Sequence, residues 1–261
     1  MTATAQGTGT GALAPARHGR AHDLLLGVVG VVGELMITAG VLLGGFIVWQ
    51  LWWTDVEGDR AQAQAVERLG WEPAPVAAPA SAPAAPTVAA RETGEPPVPA
   101  EPEHATTFAT MVVPRWAGEP ERPISQGVDR ETVLDPLGVG HYPGTAMPGA
   151  VGNFSVAAHR TTYGKPFNRV EELVAGDPVV VRTQDTWYVY RVTSTRVVDP
   201  SDVSVVAPDP VDPQAQPTQR TMTMTTCHPM FSARERYVVH LALDYWAPTS
   251  GPAPVELVGG A

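Results

Sequence analysis

The sequence is poor in cysteine and in positive charge. Its 261 residues include one cysteine, Cys227, so a disulfide within the chain is excluded and an exported protein would keep this thiol either buried or for chemistry. Lys165 is the only lysine, and the formal net charge is -10. Phosphate binding needs a basic surface, so this composition argues against a nucleic-acid partner. The Cys227-His228 pair lacks the spacing of metal ligands, so we expect no metal site and no cofactor.

A long apolar run lies near the N-terminus, at residues 24–53. It exceeds the roughly 20 residues that a helix needs to cross a bilayer. Because no clean cleavage site follows it, we predict an uncleaved transmembrane anchor behind a cytoplasmic tail of residues 1–23. Arg17 and Arg20 precede the run and acidic residues follow it. The positive-inside rule then places the N-terminus in the cytoplasm and the bulk of the protein outside the cell membrane.

Glu34 leaves two placements of the span open. A carboxylate at mid-bilayer costs about 3 kcal/mol or more. A span over residues 35–53 puts Glu34 at the inner interface and the tryptophans near its end at the outer one. The alternative span starts at Leu24 and requires Glu34 to face a partner helix.

Four further segments follow the anchor. Residues 54–71 predict a juxtamembrane helix that stops at Gly70 or continues the membrane helix. Residues 72–104 contain nine prolines, which favour polyproline II and predict an extracellular linker that holds the next segment away from the membrane. Residues 105–248 have the length and pattern of one folded domain. Residues 249–261 are predicted to be a flexible C-terminal tail.

The pattern of the domain is mainly β. Strand-like runs separated by Gly, Pro, Asp and Asn turn residues predict six strands, at residues 108–113, 153–158, 178–182, 187–198, 221–227 and 237–246. A helix is predicted at residues 165–174. Many short strands favour a closed or nearly closed antiparallel barrel, because closure removes exposed strand edges.

Cys227 ends the strand predicted at residues 221–227, where threonine alternates with methionine. The period of two puts Cys227 on the threonine face, and Pro229 stops the strand just beyond it. A structural cysteine would more naturally share the methionine face, so this position favours a functional thiol at a rim. Such a nucleophile needs a nearby base and a positive group that stabilises charge.

Several histidines could supply the base. His228 is adjacent to Cys227, but neighbouring strand residues point to opposite faces, which makes it a poor partner. His141, His159 and His240 remain open on the pattern alone. His159 follows a predicted strand and opens a turn, as Cys227 does.

The positive group is expected at the start of the last strand. Arg234 and Arg236 are two residues apart there and share one face, so the alternation does not separate them. Both could equally form a solvated strand edge.

Three segments of the domain, taken in order, carry the most specific signal in the sequence. The first is Gly-His-Tyr-Pro-Gly-Thr-Ala at residues 140–146, which leads to Asn-Phe-Ser-Val-Ala-Ala-His-Arg at residues 153–160. The second is Thr-Met-Thr-Thr-Cys at residues 223–227, and the third continues from there to Arg236. Together the three segments resemble the sortase family, and specifically its class E group from actinobacteria. Ala158 and Met224 replace the family's common Gly and Leu, and neither change touches a reacting group.

The resemblance implies an eight-stranded sortase-type β-barrel with one or two short helices. It implies a cysteine transpeptidase in which Cys227 is the nucleophile, His159 the acid and base, and Arg236 the clamp for substrate and oxyanion. Thr226 and Tyr142 are the candidate substrate-binding residues.

The implied reaction cleaves a C-terminal sorting-signal peptide between Thr and Gly and transfers the acyl group to an amine of a lipid II-like peptidoglycan precursor. Class E members are associated with Leu-Ala-x-Thr-Gly rather than Leu-Pro-x-Thr-Gly signals. Two rival hypotheses remain, a cysteine hydrolase that uses water as the acceptor and a non-catalytic wall-binding module.

Overall fold

A computed structural model of the chain describes residues 19–75 and 88–258. Most of the tail predicted at residues 1–23 lies outside the described residues, as do the middle of the predicted linker and the last three residues. The chain divides into a first unit that ends at Gln50 and a second that begins at Leu51.

One long helix, α1, runs from Gly19 to Arg68. Its apolar part is exposed, and among the described residues it is the one helix long and apolar enough to cross a membrane. It is therefore a candidate membrane anchor. The helix continues through the predicted juxtamembrane segment, and Gly70 follows its end with φ of 66°. That left-handed conformation closes helices and suits glycine, which has no Cβ.

Eight strands of the second unit form a closed barrel, as predicted. Their order around the barrel is β1-β2-β3-β4-β7-β8-β6-β5. The β2–β3 and β4–β7 pairs are parallel and the other pairs are antiparallel. The strands are β1 Thr107–Val112, β2 Arg122–Gln126, β3 Val139–His141, β4 Gly152–Ala158, β5 Pro178–Arg182, β6 Thr186–Val198, β7 Arg220–His228 and β8 Glu235–Pro248.

The barrel core is built from alternate residues of its strands. Met222 and Met224 of β7 are fully buried and lie opposite Phe154 and Val156 of β4. These side chains occupy the inner face, so the threonines of β7 that alternate with the methionines face outward. The alternation therefore fixes which face of β7 carries Cys227.

The prediction of a helix at residues 165–174 is wrong. The structure has turns there, with a single 3-10 turn at Val170–Glu172. Phe167, Val170 and Leu173 all point into the core at a spacing of three residues. That spacing resembles one face of an α-helix, but it also suits turns with about three residues per repeat.

The predicted linker differs from the structure in its described parts. Residues 88–104 lie along the barrel: Glu92 pairs with Trp246 of β8 through two backbone hydrogen bonds of 3.0 Å. Tyr188 donates its hydroxyl to the carbonyl of Pro97 at 2.7 Å. An extended proline-rich segment can satisfy its backbone groups against a neighbouring strand, and here it does so instead of standing free.

The predicted C-terminal tail also differs from the structure as far as it is described. The part of the chain that the structure describes has two short α-helical turns besides α1: α2 covers Asp135–Leu137, immediately before β3, and α3 covers Val255–Val258, after β8. The turn α3 lies within the predicted tail. Leu257 of α3 is 2% exposed, and Glu256 accepts a hydrogen bond from the hydroxyl of Tyr245. The apolar contact and the buried carboxylate hold residues 249–258 against the barrel.

Candidate active site

The barrel brings Cys227, Arg236 and the end of β4 to one rim. Cys227 of β7 lies directly opposite Arg236 of β8. Opposed residues of antiparallel strands project to the same side, so the thiol and the guanidinium share the outer face. On the other side of β7, Ala157 of β4 pairs with Thr225 in parallel register. His159 follows Ala157 by two residues, just beyond the end of β4, and Cys227 follows Thr225 by the same number of residues.

Arg160 ties the segment that carries His159 to the end of β7. Its Nη1 donates to the carbonyl of Cys227 at 3.4 Å and lies 2.9 Å from Nδ1 of His228. Its Nη2 pairs with Glu171 at 2.7 Å. The hydrogen bond from Arg160 holds the pKa of the Glu171 carboxyl below its usual value. The buried guanidinium therefore joins the strand ends that bear the thiol and the imidazole.

His159 is held by a carboxylate and an aromatic ring. Its Nε2 lies 2.6 Å from Oδ1 of Asp135, the first residue of α2. The ring of Tyr163 lies 5.3 Å from the imidazole, centroid to centroid, at an interplanar angle of 32°. A base oriented by a third group is the arrangement that activates a nucleophile in many enzymes. Asp135 would fix the imidazole so that Nδ1 remains free to exchange a proton.

The structure separates the two arginines that the pattern left equivalent. Arg236 is half-buried, and its Nη1 donates to the carbonyls of Ala233 and Glu235 at 3.0 Å each. Arg234 is exposed and precedes the first residue of β8. Arg236 is therefore the one placed opposite Cys227.

The two candidate substrate-binding residues lie on different faces. Tyr142 places its hydroxyl 2.9 Å from Oγ1 of Thr225, which shares the outer face with Cys227. Thr226 is 3% exposed and donates to the carbonyl of Ala158 at 2.7 Å. Its side chain lies on the face opposite the thiol, where it joins β7 to the end of β4, and its role in substrate binding stays a prediction. The period of two already put Thr226 with the methionines.

The other two candidate histidines, His141 and His240, are buried and form hydrogen bonds with neighbouring groups. His141 is fully buried between Gln126 and Ala146, and its burial lowers its pKa. Nδ1 of His240 lies 2.9 Å from the hydroxyl of Thr223, and burial lowers its pKa to about 4. In the part of the chain that the structure describes, no group of three His, Cys, Asp or Glu is arranged to hold a metal ion.

The closed β-barrel pairs Cys227 with Arg236 at the end of β7, and Arg160 links that strand end to the segment that bears the carboxylate-bound His159. These features fit a cysteine-dependent acyl-transfer protein. The Sortase domain family model matches residues 111–244, which is half of the chain. The chain therefore belongs to the sortase family, whose members are cysteine transpeptidases.

Individual sortases are similar over much of the chain. Sortase SrtE1 of Streptomyces coelicolor is 36% identical over 87% of this chain, and the match spans 60% of that relative's length. The SrtA sortase structure from Actinomyces oris is 39% identical, with a TM-score of 0.62 over 65% of this chain and 97% of that one. The structure of Sortase E1 from Streptomyces coelicolor with a tripeptide in the active site is 39% identical, with a TM-score of 0.50 over 56% and 93%.

Proposed function

We propose that this chain is a class E-like sortase. It cleaves a C-terminal sorting signal of the Leu-Ala-x-Thr-Gly or Leu-Pro-x-Thr-Gly type between Thr and Gly, and it transfers the protein to an amine of a cell-wall precursor. The observation that carries the proposal is the direct pairing of Cys227 with Arg236 beside the segment that bears His159. The tripeptide bound in the similar Streptomyces coelicolor structure supports a peptide substrate.

The first half-reaction forms a thioester. The Cys227 thiolate attacks the threonyl carbonyl carbon, and the new C–S bond leaves a negative charge on the former carbonyl oxygen. Arg236 donates hydrogen bonds to that oxygen as the charge develops. The C–N bond to glycine then breaks, and His159 gives its proton to the departing amine. Asp135 keeps the imidazole in the orientation that this transfer needs.

The second half-reaction returns the enzyme to its starting state. The amine of the precursor attacks the thioester carbonyl, and neutral His159 accepts the proton that this nitrogen loses. A C–N bond forms, the C–S bond breaks, and Cys227 leaves as a thiolate. With water as the attacking group the same thioester would be hydrolysed, so the acceptor decides between transfer and hydrolysis.

Tyr142 is proposed to contact the bound peptide. Its hydroxyl lies beside Thr225, which faces outward two residues before the thiol. A peptide that presents its threonyl carbonyl to Cys227 would pass along this face with its preceding residues near the Tyr142 ring. An amphipathic ring at this position suits a small apolar residue beside a backbone amide.

We place the chain in the cell membrane with its N-terminus in the cytoplasm and its barrel outside. Arg17 and Arg20 before the apolar run and Asp55 and Glu57 after it support this orientation. An epitope tag after Ala261 should be accessible to antibody on intact protoplasts, whereas a tag before Met1 should be protected. The opposite pattern of protection would reverse the topology.

The activity is tested with the full-length protein in nanodiscs. A fluorogenic peptide that contains Leu-Ala-x-Thr-Gly is offered with and without an amine acceptor, and the products are separated by mass. Cleavage followed by amine-linked product is expected, and Cys227→Ala should give neither. Hydrolysis alone, whichever amine is offered, would favour a cysteine hydrolase, and an inert thiol would favour a non-catalytic wall-binding module.

A further inference from the structure

Residues 51–68 of α1 pack against the barrel through one narrow face. Gly58, Gln62 and Ala65 on this face are buried, at a spacing of four and then three residues. Gln64 and its neighbour Ala63 are exposed. Gln62 is only 1% exposed, and a buried amide is costly unless both of its ends are hydrogen-bonded.

Both ends of the Gln62 amide are satisfied by the barrel. Its Nε2 donates to the carbonyl of Tyr163 at 2.8 Å, and its Oε1 accepts from Nη1 of Arg122 at 2.8 Å. The same Arg122 nitrogen donates to Asp59, one helical turn before Gln62, at 2.6 Å. Arg122 is the first residue of β2 and is 6% exposed. The helix is thus bound to the barrel through a buried polar network.

Two glycines leave the space that the Gln62 side chain fills. A Cβ on Gly138 would lie 2.6 Å from Cδ of Gln62, and a Cβ on Gly164 would lie 2.8 Å from its Nε2. Both glycines also have left-handed backbone, with φ of 83° and 72°. A Cβ on Gly58 would lie 2.3 Å from the carbonyl carbon of Tyr163. The helix and two barrel loops therefore approach each other at backbone distance.

These two loops carry the groups that hold His159. Gly164 follows Tyr163, whose ring packs on the imidazole. Gly138 follows α2, which begins with the Asp135 carboxylate that lies 2.6 Å from His159 Nε2. The Gln62 side chain lies between the loops, in contact with one and hydrogen-bonded to the other.

The only lysine of the chain adds a second link at the same turn. Lys165, two residues after Tyr163, pairs with Asp55 of α1 at 2.6 Å. Asp55 and Gln62 lie seven residues apart, which places them on one helix face. The turn between β4 and the 3-10 segment is therefore tied to α1 at two points.

We propose that Gln62 is a positioning residue for His159. It holds the Tyr163 turn and the Asp135 loop at a fixed separation, so that the imidazole keeps the orientation in which it exchanges protons with the substrate. This inference rests on the proposed function, since it assigns the catalytic proton transfer to His159. The helix that leaves the membrane segment is then part of the machinery that orients the base.

The test compares two glutamines on the same helix. Gln62→Glu keeps the length of the side chain and an oxygen that can accept from Arg122, but it removes the donor to the Tyr163 carbonyl. Gln64→Glu makes the same change at an exposed position two residues away and serves as the matched control. Both variants and the wild type are studied as full chains in nanodiscs, with thermal unfolding measured for each.

Kinetics and NMR then separate positioning from folding. Gln62→Glu should lower kcat by about tenfold to a hundredfold, because a displaced catalytic group loses rate without losing substrate binding, while KM stays within about twofold. The ¹³C-labelled imidazole resonance of His159, assigned with His159→Ala, should broaden or split in Gln62→Glu alone. Gln64→Glu should match the wild type in both measurements.

Failure of the positioning role of Gln62 can be distinguished from failure of the proposed function. If the wild type transfers peptide and Gln62→Glu equals Gln64→Glu in kcat and in the His159 resonance, the positioning role is refuted. If the wild type cleaves no sorting peptide, the proposed function fails. The His159 resonance then still decides whether Gln62 orients the imidazole, because it requires no turnover. A loss of kcat that follows only a lowered unfolding temperature, with an unchanged resonance, would likewise overturn the inference.

Discussion

Replacement of Arg236 by lysine tests the shape of the proposed clamp. Nη1 of Arg236 donates to the carbonyls of Ala233 and Glu235, which anchors one nitrogen of the fork. The proposed clamp binds the ligand through the other nitrogens. An ammonium group has one nitrogen and lacks this planar fork. Arg236→Lys should therefore be nearly as damaging as Arg236→Ala. The loss of one oxyanion donor costs about 3 to 4 kcal/mol of the barrier, or roughly a hundredfold to a thousandfold in rate.

The matched control for this change is Arg234→Ala. Arg234 is exposed and lies outside β8, so its removal should change the rate by less than about threefold. Cleavage of the fluorogenic peptide gives kcat and KM for the three variants, and circular dichroism reports whether each is folded. A fall in kcat with little change in KM is expected for Arg236, since its contacts strengthen in the transition state. If Arg234→Ala loses most of its kcat and Arg236→Ala loses little, Arg234 is the clamp instead of Arg236.

Three further predictions follow from the same geometry. Cys227→Ala and His159→Ala should abolish cleavage and transfer while His228→Ala keeps substantial activity; full activity in Cys227→Ala would end the proposed mechanism. Asp135→Asn should lower kcat by about tenfold or more through a misoriented imidazole, and an unchanged kcat would remove Asp135 from the mechanism. Burial lowers the pKa of His240 from 6.5 to about 4, so the unfolded state binds more protons between these values and the protein loses stability as the pH is lowered through this range. His240→Gln should remove up to about 3 kcal/mol of that pH dependence in urea unfolding at pH 7.5 and 4.5; an equal dependence in both proteins would contradict this.

Six of the eight strands could be predicted because each is a run of strand-forming residues bounded by turn residues, with a clear period of two in β7. The alternation of methionine and threonine in β7 even fixed the face that bears Cys227, since only the inner face of a barrel accepts the methionines. β2 and β3 were missed for a physical reason. β2 contains Pro123, and β3 is three residues long with Gly140 at its centre, so neither shows an apolar period. Their place is determined by the neighbouring strands of the closing barrel.

The residues that support His159 could not be predicted from the sequence. Asp135, Arg160 and Gln62 are polar residues in segments without any catalytic spacing, and each would ordinarily lie on a solvated surface. They become buried or paired only because β4, α2 and α1 meet in the folded chain. No local pattern carries that information, since the partners of Gln62 lie 60 and 101 residues away in sequence.

The proline-rich segment shows what amino-acid composition can and cannot predict. Its composition indicated an extended chain, and residues 88–104 are indeed without regular helix or strand apart from the bridge at Glu92. Composition does not reveal whether an extended segment stays in solvent or pairs with a neighbouring strand, because both satisfy its backbone groups. The pairing partner, Trp246, lies more than a hundred residues later in the chain.

The proposed mechanism requires a thioester on Cys227, and mass spectrometry of the trapped enzyme can detect it. The full-length protein is incubated with a peptide that contains Leu-Ala-x-Thr-Gly, without an amine acceptor, then acid-quenched and digested. The peptide bearing Cys227 should gain the mass of the acyl fragment ending in threonine. A primary amine added before the quench should remove this mass and appear in the product. Cleavage without any adduct on Cys227, or an adduct on another residue, would contradict the proposed mechanism.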